Sequence, residues 1–246
     1  MKTSRRNSTE ARGRSHKHAN AWVLKHLDLV GKLISRSIRT CLKKLLIAPH
    51  GVGTKPRDDI NTDQLTFRIA ERLKCSAIVN DVFKRTDLDF NDVADALTHN
   101  TFIPAIREVV DAPGRTLVVW VHGIDDGNLK REIVEMGVKN EVQCLIGYGQ
   151  PDRPTAEKKT VDDLIKMFGA NSIIAHVARV GSNYGGNSIL YMNQWFRLNG
   201  YKLEDIQSVQ LEFKYESIRR SEDLGEASQN ISNALTAMNE TRFYNR

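Results

Sequence analysis

The sequence predicts an α/β fold, with a mixed, largely parallel sheet flanked by helices, on three observations. Short apolar runs alternate with stretches of helical periodicity from Leu45 onward, the pattern of strand–helix units that build parallel sheets. One run, residues 116–122 (TLVVWVH), is apolar almost throughout, as a strand covered on both faces requires. The chain has 246 residues, 27% charged and 40% hydrophobic, which suits one α/β domain carrying an extra arm.

Taken in order, residues 1–20 are polar and aperiodic and read as a disordered basic tail. Residues 21–44 read as an amphipathic N-terminal helix, since Trp22, Val23, Leu27, Val30, Leu33, Ile34 and Ile38 recur at helical spacing between basic residues. Such a helix can lie on a membrane surface or dock on the body. Residues 45–246 form a single domain, with no repeat and no Pro/Gly linker. Within it, 45–48 reads as a buried strand. A helix over 63–73 follows, with Asn61 or Thr62 as N-cap. Next come a short strand at 77–80, helical pieces over 93–110 interrupted by Pro104, and strands at 116–122 and 142–147. A helix at 161–168, a strand at 172–178 and a helix at 189–198 closed by Gly200 come next. The last strand is 209–213, before a C-terminal helix over 225–238.

The charge is distributed unevenly. The net charge is +6, yet residues 1–44 hold 12 Lys/Arg against Glu10 and Asp28, leaving 24 basic and 28 acidic residues in the body. A basic arm can bind phosphate backbones non-specifically; the mildly acidic body, without aromatic–basic interleaving, points away from a nucleic-acid module. Three cysteines, Cys41, Cys75 and Cys144, with no C-x-x-C, suggest buried thiols in a reducing compartment, hence a cytoplasmic protein. No apolar run is long enough to span a membrane, and the N-terminus lacks the apolar stretch of a secretory signal. Its Arg- and Ser-rich composition matches an organellar transit peptide as well as an upstream extension or an expression remnant.

Two His-Gly pairs stand out. His50 comes two residues after a predicted strand and precedes Gly51 and Gly53, and His122-Gly123 closes the strongest strand, ahead of Asp125 and Asp126. Ligands in open α/β sheets bind beyond the carboxyl ends of the strands, so both histidines are candidate metal ligands. A catalytic zinc site takes three protein ligands and an open position. Asp58, Asp59 and Asp63 are the carboxylates near His50. Asp63, at the start of the next helix, is the preferred third ligand and Asp59 the second choice; a first-turn acid favoured by the helix dipole explains Asp63 equally well. Glu212, inside the apolar run Val209-Gln210-Leu211-Glu212-Phe213, is a candidate base. A carboxylate in a buried strand is costly unless it has a task, whereas an edge strand would leave it solvated. His176, in a predicted strand, reads as a satisfied core histidine.

The segments LLIAPHGVG, TDQLTFRIAERL, AIVNDVFKRTDLDFN, VVWVHG and VQLEF, in this order between Leu45 and Arg219, resemble the N-formylglutamate amidohydrolase family. That family is similar in fold to zinc carboxypeptidases and phage-type polyglutamate hydrolases, within the phosphorylase/hydrolase-like class. The resemblance implies one zinc or other divalent metal per chain, held by His50, Asp63 and His122, with Glu212 as general base. It implies hydrolysis of an amide in an N-acylated amino acid or a small peptide-like substrate. Arg85, Asp89 and Asn91 match the family's Arg-x-x-x-Asp-Leu-Asn-Arg pattern, but Asp92 stands where a second arginine is expected. Arg85 and Asn91 are thus expected to orient the substrate, with Arg85 also serving the oxyanion. The glycine-rich loop containing Gly185 and Gly186 is expected to close over the ligand.

Other chemistries lack their signatures. There is no G-x-S-x-G elbow and no H-E-x-x-H, and Gly51-Val52-Gly53-Thr54-Lys55 does not have phosphate-loop spacing. Two rival readings remain: a non-catalytic relative that only binds a ligand, and nucleic-acid binding through the basic arm.

Overall fold

A computed structural model describes residues 42–53, 59–139 and 141–240. The tail and most of the helix expected before Leu45 lie outside the described residues. The strands are β1 (Lys43–Ala48), β2 (Ser76–Val79), β3 (Thr116–Ile124), β4 (Cys144–Gly147), β5 (Gly149–Gln150), β6 (Arg153–Pro154), β7 (Ala175–Val177) and β8 (Ile206–Lys214). The helices are α1 (Thr62–Leu73), α2 (Val93–Thr98), α3 (Phe102–Val110), α4 (Asp126–Glu135), α5 (Lys158–Ala170), α6 (Met192–Leu198) and α7 (Leu224–Glu240).

Six strands form the main sheet in the order β2-β1-β3-β8-β4-β7, while β5 and β6 make a separate ribbon. The pairs β2–β1, β1–β3, β3–β8 and β4–β7 are parallel, and β8–β4 is antiparallel. The mixed, mostly parallel sheet is the one the alternation predicts. Both of its faces are covered. Leu117, Val119 and Val121 of β3 join Val209, Leu211 and Phe213 of β8 in a core shared with α1, α5 and α7. Val118 and Trp120 point the other way, into a core with α3 and α6. The period of two in β-strands produces this division, and the continuous apolar run of β3 is its consequence.

Boundaries shift where local chemistry outranks apolar periodicity. β1 starts at Lys43 rather than Leu45, so residues 43 and 44 belong to the sheet and not to an N-terminal helix. The Lys43 ammonium donates to the Val109 carbonyl at 2.9 Å. The break in the helical stretch falls between α2 and α3, not at Pro104, which sits in the first turn of α3, where a missing N–H is tolerated. α4 escapes an apolar-period reading because only Leu129 and Glu132 are buried along it.

Candidate active site

β3 and β8 lie in parallel register with Trp120 beside Gln210 and His122 beside Glu212. Side chains alternate along each strand, so His122, Gln210 and Glu212 share the face opposite the Val119–Leu211 core. β8 lies between β3 and β4, which excludes the solvated edge position for Glu212; its residue is 4% exposed.

The carboxyl ends of β1 and β3 deliver the two histidines. His50 and His122 are both 3% exposed, with ring centroids 5.1 Å apart. Between them stands Asp59. One of its oxygens lies 2.9 Å from His50 Nδ1 and 3.3 Å from His122 Nδ1; the other accepts the Gly123 N–H at 3.0 Å. His50, Asp59 and His122 each offer a donor atom within 4.8 Å of the others. Two imidazoles and a carboxylate are the donor set of a catalytic zinc site with an open position, so these residues fit a divalent metal.

Asp63, the preferred third ligand, is outside this cluster. It occupies the first turn of α1, and its Cβ abuts Gly51 so closely that a Cβ there would fall 2.4 Å away. Gly51 therefore serves the packing of α1 on the strand end. Asp59 reaches the histidines from the turn before α1, with a left-handed φ of 60°. Asp59 and Asn61 at φ 67° form a turn that local sequence spacing does not announce. Asn61 sits at the N-cap position without a side-chain capping bond; its amide donates instead to the Arg219 carbonyl at 2.7 Å.

A second carboxylate orients His50 from its far side. Asp89 accepts from His50 Nε2 at 2.6 Å and from Arg85 Nε at 3.0 Å. Histidine ligands are commonly fixed by such outer partners. Arg85 lines the cleft, but its guanidinium is engaged by Asp89. Asn91 is buried beside it, its backbone N–H held by Asp89 at 2.9 Å, and its side-chain oxygen has no partner among the described residues. Asp92 caps α2, accepting from the Ala94 and Asp95 N–H groups. Asp125 likewise caps α4.

The cleft has a volume of about 230 Å³, and Tyr184, Tyr191, Asn128 and Asn183 complete its walls around the histidines, Asp59, Gln210 and Glu212. Gly185 and Gly186 are not among its lining residues. Gly147 packs against the backbone from Tyr184 to Gly186, and Gly186 packs against the Asn193 amide. The glycines thus seat the loop on the sheet, and its neighbours Asn183 and Tyr184 face the cleft. His176 is exposed on β7 at the sheet edge, not satisfied in the core as expected.

Burial and charge set the protonation of the site. Burial disfavours a charged His50 ring, but Asp59 and Asp89 outweigh it and push its pKa up to about 9. Burial and the His50 charge hold His122 below its ordinary value, against the pull of Asp59. Burial opposes ionisation of Asp59, yet His122 and His50 hold it well below the carboxylate range. Burial, with the Asp59 charge, pushes Glu212 up to about 8; Gln210, His50 and Arg219 act in the opposite direction.

No family model and no curated relative matches the sequence, but solved structures do. The fold is shared with an N-formylglutamate amidohydrolase of known structure. N-formylglutamate amidohydrolase from Ralstonia eutropha superposes with a TM-score of 0.55 at 13% identity, covering 82% of this chain and 94% of that one. A gene product from Agrobacterium tumefaciens superposes at 0.50 and 14% identity, covering 80% and 91%. A bacteriophage poly-gamma-glutamate hydrolase gives 0.46 at 14%, covering 83% and 88%. The likeness to the Ralstonia eutropha enzyme establishes the fold named in the sequence resemblance. Among the described residues, no helix is long and apolar enough to cross a membrane.

Proposed function

We propose that the protein is a metal-dependent amidohydrolase, with one divalent metal, zinc by donor type, held by His50, Asp59 and His122. The observation that carries this reading is the cluster of these three residues beside the buried Glu212 in one cleft. A metal held there would supply Lewis acidity, acidifying water and polarising a carbonyl. Glu212 takes the proton from the attacking water and returns it to the leaving amine. Its raised pKa suits this exchange, and a neighbouring dication would favour the carboxylate form. Asp89 fixes the His50 ring, and Asn91 offers an unpaired oxygen to a substrate N–H.

The substrate is the amide of an N-acylated amino acid or a peptide-like chain end. Asp92 is occupied as a helix cap, so an arginine clamp for a substrate carboxylate is missing at that position, and among the described residues Arg85 is the arginine on that wall. The test is turnover on a panel of N-formyl and N-acetyl amino acids and short amides, followed by amine release, with zinc-loaded and chelator-treated protein. Hydrolysis that requires metal supports the reading. Zinc-loaded protein that is inert on the whole panel would favour a non-catalytic relative of the same fold.

A further inference from the structure

Arg219 is fully buried, and each of its three guanidinium nitrogens donates to a backbone carbonyl next to the site. Nε donates to Phe213 at 2.9 Å, Nη1 to Ile60 at 2.7 Å and Nη2 to Ile124 at 3.2 Å. Phe213 follows Glu212, Ile60 follows Asp59, and Ile124 lies two residues beyond His122. The Arg219 carbonyl also receives the Asn61 amide, so the turn before α1 is held from both ends of one residue. A short π-type turn, Tyr215–Arg219, returns the chain to this place after β8, with Ser217 at a left-handed φ of 69°. Gly123 makes the room: a Cβ there would fall 2.3 Å from the guanidinium carbon. The glycine of the second His-Gly pair is thus matched to Arg219.

We infer that Arg219 is the positioning residue of the cleft, a buried guanidinium that fixes the segments carrying Asp59, His122 and Glu212 relative to one another. Three strand and turn ends far apart in sequence meet at one rigid, planar donor group. A fork of this geometry fixes directions that a lysine cannot. Arg219 touches no substrate in this arrangement; it acts through the backbone of its three neighbours.

The experiment compares Arg219→Met with Arg197→Met, using the full chain. Arg197 is a half-buried arginine that bonds the Lys202 and Ile206 carbonyls away from the cleft. Hydrogen exchange in the metal-free proteins is followed in peptides over residues 59–62, 122–125 and 158–170, and zinc affinity is measured by competition with a chromophoric chelator. Arg219→Met should lose protection at 59–62 and 122–125 but not at 158–170. Its zinc affinity should fall by about 10–100-fold, the usual effect of losing a group that orients ligands. Arg197→Met should lower the unfolding temperature without either change. If Arg219→Met does not fold, Arg219→Lys is measured the same way, with loss of protection again expected. Wild-type exchange and affinity in a folded Arg219 variant, or the same losses in Arg197→Met, would overturn the inference. The zinc arm rests on the proposed metal site and the exchange arm does not. A wild-type protein without zinc affinity therefore refutes the proposed function and leaves the exchange result to decide the role of Arg219.

Discussion

Asp59 makes three different contacts in the site: His50, just after β1, His122 of β3 and the Gly123 N–H. Asp59→Asn should therefore abolish zinc binding, whereas Asp63→Asn should leave the stoichiometry at one; elemental analysis of the two proteins separates them. Glu212→Gln keeps shape while removing the base, so turnover should fall by roughly 10²–10⁴-fold with zinc content unchanged. Full activity in a folded, zinc-loaded Glu212→Gln protein would remove Glu212 from the mechanism. His50, His122 and Glu212 stand out in the sequence because His50 follows an apolar strand, His122 closes one and Glu212 interrupts one. Asp59 was legible only as one of three nearby acids. Its selection depends on a left-handed turn, and aspartate is among the few residues that enter that region without glycine. Arg219 gave no local signal, since its partners are carbonyls more than ninety residues away for two of its three bonds.

At the scale of elements, the strands are the part that sequence reading reaches best. Apolar runs covered on both faces must be strands of a central sheet, and β3 and β8 appear where those runs are. The helices with weak apolar periods behave differently. α2 and α4 are fixed by caps, Asp92 and Asp125, and both capping residues stand next to the cleft. Asp92→Ala should destabilise the protein by about 1 kcal/mol, measured by denaturant unfolding. A neutral effect would mean that the two N–H groups find other partners. The capping role also explains why an acid occupies a position where the resemblance expects arginine: here the residue serves its own helix.

For the whole molecule, the site's charges couple stability to pH and to metal. The folded pKa of His50 is raised from 6.5 to about 9, so its contribution is fully present below pH 6.5 and is lost as pH rises through about 9. Glu212 is raised from 4.5 to about 8 and acts in the same sense, its contribution lost as pH rises through about 8. The unfolding temperature of metal-free protein should thus fall between pH 6.5 and 9. Zinc affinity should rise over the same range, because the metal displaces the His50 proton. Thermal scans with zinc and with chelator across this range check both; a flat metal-free profile would contradict the protonation assigned to the cleft.

The most direct measurement is anomalous diffraction at the zinc edge from crystals of the zinc-loaded protein. One peak per chain is expected, within about 2.0–2.2 Å of a nitrogen of His50, a nitrogen of His122 and an oxygen of Asp59. No peak in this cleft, or a peak bound by other residues with the His50–Asp59–His122 cluster left intact, would contradict it.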